Sequence, residues 1–126
     1  MTVDIKEFEI DLDRINRRLN SLETFTEPDR PYTRRGFSEV YQSARRYLQS
    51  EMEEAGLEVF YDDAANMIGR FPGSDTSLPP IGIGSHIDTV EAGGRFDGTL
   101  GVISALEAAQ CLMEHAAVPQ HTIEVI

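Results

Sequence analysis

From Pro80 onward the chain alternates a short apolar run, a glycine-rich passage, a helical period and a second apolar run. "PIGIGS" reads as a buried, parallel strand, because a strand covered on both faces shows continuous apolar character. Between about Gly98 and His115, Val102, Ile103, Leu106, Ala109 and Met113 keep a helical period. "HTIEVI" then begins another strand. Parallel strands need a crossover between them, most often a helix, so this order points to an α/β fold.

The upstream half supports the same class. Phe8, Leu12, Ile15, Leu19, Leu22 and Phe25 step by three and four, which predicts an amphipathic helix over residues 8–25. "EPDRPYTRRG" is a connection, since Pro28 and Pro31 interrupt any helix. Ser38 is a candidate N-cap for a second helix with Val40, Ala44, Tyr47, Leu48, Met52 and Ala55 inward, ended by Gly56. "LEVFYDD" and "NMIGRFPG" read as a hairpin turning at residues 62–66. The expected architecture is one α/β domain, a three-layer sandwich with helices flanking a mixed sheet. No repeat or linker divides it.

Charge narrows the partners. Asp and Glu total 22 against 11 Lys and Arg, a net charge of -11. Phosphate-rich surfaces would be repelled, so neither nucleic acid nor membrane is an expected partner. Cys111 is the one cysteine and is expected to be a small buried residue rather than a nucleophile. The N-terminus lacks the apolar stretch of a signal peptide, and no run approaches the roughly 20 apolar residues of a membrane span. The expectation is a cytoplasmic protein.

The chemistry concentrates in "GSHIDTVEAGGRFDGTLG", Gly84 to Gly101. His86 and Asp88 are two apart and would share a side if the strand reached them. A metal-binding imidazole uses one nitrogen and needs an acceptor on the other, a role Asp88 could fill only across a bend. Gly84 and the Gly93–Gly94 pair permit such irregularity. Asp97 stands at the entry to the third helix, behind a loop long enough to fold back. A carboxylate can bridge two cations, and Gly98 beside it leaves room for a close metal approach. Spacing alone leaves a second reading open, in which Asp97–Gly98 is only a cap and turn and His86 a polar loop residue. A dinucleotide loop is disfavoured: Ile87 stands where the third glycine is needed, and the helix begins too late.

"GSHIDTVEAGGRFDGTLGVISALE" resembles the metal-binding segment of the di-zinc amidohydrolase, aminoacylase and carboxypeptidase superfamily. The "GGRFDG" wording resembles the hydantoinase/carbamoylase branch, which includes N-carbamoyl-L-amino-acid hydrolases and allantoate amidohydrolases. "YTRRGFSEVYQSARRYLQSEMEEAGLEVFYDDAANMIGR" is similar to the family's first helices and strands. The resemblance implies that His86 binds one metal ion, that Asp97 bridges two, and that Asp88 orients His86. It implies two divalent ions (zinc, manganese or cobalt) acting on an N-carbamoyl, allantoate or ureido substrate, in a homodimer.

The resemblance also implies that this is the N-terminal part of a catalytic domain. The general base, the remaining ligands and a lid or dimerisation domain would lie beyond Ile126, and this chain alone would be inactive. Glu124 lies within a strand and is not expected to replace the base. His115 at a helix end and His121 at a strand start are expected to be structural. The last strand was expected to leave a free, association-prone edge. Two alternatives accompany the amidohydrolase reading: a dipeptidase or aminoacylase of the same superfamily, and a noncatalytic remnant.

Overall fold

The computed structural model describes residues 8–126. Its elements are α1 (Leu12–Thr24), α2 (Glu39–Glu54), β1 (Glu58–Tyr61), β2 (Met67–Phe71), β3 (Ile81–Ile83), α3 (Thr99–Glu114) and β4 (Ile123–Val125). The helix ends follow local chemistry. The Asp11 side chain accepts from Arg14 N at the start of α1, and that of Ser38 from Tyr41 N at the start of α2. Past α2, Gly56 takes a φ of 96°, the left-handed turn that glycine adopts without a Cβ clash. The β1–β2 turn is held by Asp62, whose Oδ1 accepts from the backbone N–H groups of Ala64 and Asn66.

The sheet order is β1-β2-β4-β3, with β1–β2 and β2–β4 antiparallel and β3–β4 parallel. Gly69 of β2 sits opposite Val125 of β4, so both face one side. Val59, Met67, Phe71 and Val125 meet Leu48 and Met52 of α2 and Val102, Ile103 and Leu106 of α3 in one core. α1 adds Leu19 and Leu22 to it. On the reverse side Arg70 lies over the Phe60 ring and pairs with Glu124 at 2.7 Å. The α/β class and the mixed sheet accord with the sequence; within this chain the helices gather on one side.

Two expectations about strands are corrected. β3 is parallel as expected but not buried: it is an edge strand, and Ile81 and Ile83 are 48% and 41% exposed. β4 is not an edge, because β2 and β3 pair with it on either side. The unpaired rims belong to β1 and β3.

The amphipathic reading of α1 also needs amendment. Leu12 is exposed, while Arg18 is buried on the inward stripe. Arg18 Nε meets Glu51 of α2 at 2.7 Å, and Arg14 Nε meets Glu107 of α3 at 2.7 Å. Arg18 also donates to Gln110 at 2.6 Å. These charges were legible in principle. Arg18 falls between Ile15 and Leu22, Glu51 between Leu48 and Met52, and Glu107 beside Leu106, each within an apolar stripe.

One pH dependence follows. Burial raises the Glu51 carboxyl, but hydrogen bonds from Arg17 and Arg18 outweigh it and hold the group below its ordinary value. A carboxyl lowered in the folded state stabilises above its unfolded pKa, about 4.3, and loses that contribution as pH falls through the folded value. Thermal melts between pH 3 and 6 are expected to fall more steeply for wild type than for Glu51→Gln. Parallel curves would refute a stabilising role for the ionised carboxylate.

Candidate metal centre

β3 ends at Ile83, and the chain from Gly84 to Val90 is irregular. His86 and Asp88 therefore meet through a bend, the arrangement that the Asp88 role requires, and not through strand alternation. His86 Nδ1 lies 3.0 Å from the Asp88 carbonyl oxygen and 3.2 Å from Asp88 Oδ1. Both neighbours are acceptors, so in the neutral imidazole they favour the proton on Nδ1 and the lone pair on Nε2.

Nε2 faces Asp97, whose Oδ1 is 3.9 Å away. That is too long for a hydrogen bond. It is also a little longer than the roughly 3.3–3.6 Å between two donors on one tetrahedral zinc with bonds of about 2.0–2.2 Å, so a bound ion would draw the two side chains slightly together. All three side chains are half exposed or more, so the site is open to an incoming ion.

Close packing brings the two segments together. Gly98 caps α3 at a φ of 71°. A Cβ there would run into the His86 carbonyl oxygen and stand 2.5 Å from ring atoms Nδ1 and Cε1. The space expected beside Gly98 for a metal is thus filled by the imidazole itself. At Gly84 a Cβ would run into the Ile126 carbonyl. Ser85 N donates to that same carbonyl at 3.1 Å, which ties the His86 segment to the end of β4.

A cavity of about 210 Å³ opens beside His86 and Asp88. Leu48, Met52 and Val102 wall it, with Tyr41, Arg45, Asn66 and Ser85 as further polar residues. It is smaller than the roughly 300 Å³ at which drug-sized sites begin.

The remaining histidines lie elsewhere. His115 Nδ1 is 2.8 Å from the Cys111 carbonyl and its ring packs on Phe8; His121 Nδ1 is 2.8 Å from the Pro79 carbonyl. Cys111 is buried, and burial pushes its thiol pKa up, against a nucleophilic role. Glu124 is occupied by Arg70. Among the described residues, no three His, Cys, Asp or Glu side chains converge as a metal-ion cage. The donors present fit one edge of a divalent-metal site.

Sequence reasoning missed Arg34. It is buried and donates from Nε to the Ile87 carbonyl at 2.6 Å and from Nη1 to the Leu22 and Phe25 carbonyls at 2.9 and 2.8 Å. Burial lowers its pKa from the ordinary guanidinium range, with Asp88 opposing. Nothing local in "YTRRG" announces these partners, which lie as far as 53 positions away.

The fold is thus an α/β sheet with an open His–Asp pair just past the end of a parallel strand. The comparisons with known proteins narrow it. No protein-family model matches the chain. It is 40% identical over 114 residues to an N-carbamoyl-L-amino-acid amidohydrolase of Paenarthrobacter aurescens, covering 90% of this chain and 28% of that protein. It is 35% identical over 120 residues to a ureidoglycolate hydrolase of Oryza sativa subsp. japonica, covering 94% and 25%. The structure of a hydantoinase/carbamoylase family amidase from Burkholderia ambifaria matches with a TM-score of 0.87 and 31% identity, over 93% of this chain and 29% of that one. By sequence and fold, the chain is homologous to the hydantoinase/carbamoylase family of amidohydrolases. It spans about a quarter of the length of these relatives. No helix among the described residues is long and apolar enough to cross a membrane.

Proposed function

We propose that the chain is the N-terminal part of the catalytic domain of a cytoplasmic, metal-dependent amidohydrolase, and that it supplies His86 and Asp97 to a two-metal site. The observation that carries this reading is the 3.9 Å approach of His86 Nε2 to Asp97 Oδ1, with Nδ1 turned to Asp88. Asp88 is the orienting partner, holding the proton of Nδ1. His86 would bind one ion (zinc, manganese or cobalt) and Asp97 would bridge two. Such ions, when bound, activate water and stabilise the charge that develops on the attacked carbonyl. The substrate class is a small linear carbamoyl or ureido compound, in keeping with the names of the relatives. The whole protein would act as a homodimer with a lid or dimerisation domain.

The first test needs no turnover. Titration of the chain with zinc, followed by ¹H–¹⁵N NMR of the imidazoles, is expected to shift His86 Nε2 and leave His115 and His121 unmoved. His86→Ala and Asp97→Ala should each weaken zinc binding at least tenfold. A noncatalytic, metal-free reading draws on the absence of a three-donor cage among the described residues. Equal and negligible zinc uptake by wild type and both variants would decide for it.

A further inference from the structure

Residues Tyr32 to Arg34 grip the loop that joins His86 to Asp97. Arg34 N donates to Thr89 Oγ1 at 2.8 Å, and Thr89 N returns a bond to the Arg34 carbonyl at 2.8 Å. Thr89 Oγ1 donates to the Tyr32 carbonyl at 2.7 Å, and Gly93 N reaches the same carbonyl at 3.2 Å. Ala92 N donates to Thr33 Oγ1 at 3.0 Å. The Arg34 side chain completes the grip on the Ile87 carbonyl, in the peptide unit that joins Ile87 to Asp88.

A guanidinium buried without a carboxylate partner is costly unless its donors find acceptors, and here Nε and Nη1 find three carbonyl oxygens. Two of these belong to the end of α1 and one to the site loop. The side chain therefore ties the metal-facing bend to the core rather than to solvent. The bend matters because it alone brings Asp88 onto Nδ1. If the Ile87–Asp88 peptide turned, both the Asp88 carbonyl and its carboxylate would leave the ring together.

We propose that Arg34 is a positioning residue for His86: by fixing the Ile87 carbonyl it holds Asp88 on Nδ1 and keeps the imidazole turned with Nε2 toward Asp97. This deepens the metal-site reading above and rests on it. Arg34 touches no substrate or ion; it acts through the Ile87–Asp88 peptide.

The test reads the imidazole without metal. In wild type, long-range ¹H–¹⁵N spectra are expected to find neutral His86 in the Nδ1–H form, and a through-hydrogen-bond coupling should link Arg34 Nε to the Ile87 carbonyl carbon. Arg34→Lys, which keeps the charge but not the fork, and Arg34→Met should lose the Nδ1–H preference while His115 and His121 keep their shifts. Zinc affinity at His86 should fall about tenfold, the low end for groups that orient a metal-binding histidine. A folded Arg34→Met chain with an unchanged His86 tautomer would overturn the proposal. So would absence of the Arg34–Ile87 coupling in wild type, which decides the matter even if both variants unfold. Failure of the metal-site reading is separable: zinc would then bind His86→Ala as well as wild type, while the tautomer still followed Arg34.

Discussion

Gly98→Ala is expected to destabilise the chain by about 3 kcal/mol and to part His86 from Asp97. Two costs combine. A positive φ is disfavoured for alanine by about 1–2 kcal/mol, and forcing a methyl into an occupied space costs about 1–3 kcal/mol. The obstacles are the His86 carbonyl oxygen and its ring, so relief requires the site loop to move away from the start of α3. Urea unfolding should show a lower midpoint with an unchanged slope, and the His86 ring shifts should change in the folded state. A variant as stable as wild type, with its His86 resonances in place, would show that this contact does not hold the site.

Glu107→Ala is expected to cost a comparable amount, about 3 kcal/mol, for a different reason. Removing one member of a buried ionic group costs about 3–5 kcal/mol because it strands the partner. The lower end applies, since Arg14 keeps Glu114 at 2.6 Å and Arg18 keeps Glu51. Glu107 is 1% exposed and accepts from Asp11 N, Arg14 and Arg18, so α1 loses its main polar tie to α3. Small domains are stable by only about 5–15 kcal/mol, so the unfolding midpoint should drop markedly. The double variant Arg14→Met/Glu107→Leu should recover part of the loss, because the stranded charge is replaced by apolar packing while Glu114 stays exposed to solvent. Additive losses in that cycle would mean that the two charges do not act on each other.

Both sites show how far the residues could be read before the fold was known. The order of elements was legible because each carries its own signal. Ser38 and Gly56 bracket α2, and the period of Val102 to Met113 set α3 to within a residue of Thr99–Glu114. His86, Asp88 and Asp97 were legible as candidates because one short glycine-rich stretch gathers three side chains able to donate to a metal. Their mutual geometry was not. Strand alternation and a bend were both open, and the irregular chain after Ile83 settled on the bend.

What the sequence determined by itself is whatever depends on neighbours a few residues apart: caps, periods, the hairpin turn and the donor atoms available for a metal. What only the tertiary structure decided depends on partners far along the chain. Ile81 and Ile83 looked buried by composition, yet β3 lies at the rim because strand order is a pairing choice made across the sheet. The partners of Arg18 and Arg34 could not be read locally, and each is buried because its donors find acceptors 33 and 53 positions away. Gly98 looked like a space left open, and packing filled it with the imidazole it borders. Such long-range contacts leave little local mark, because burial energy depends on which surfaces meet and not on how close they lie in the chain.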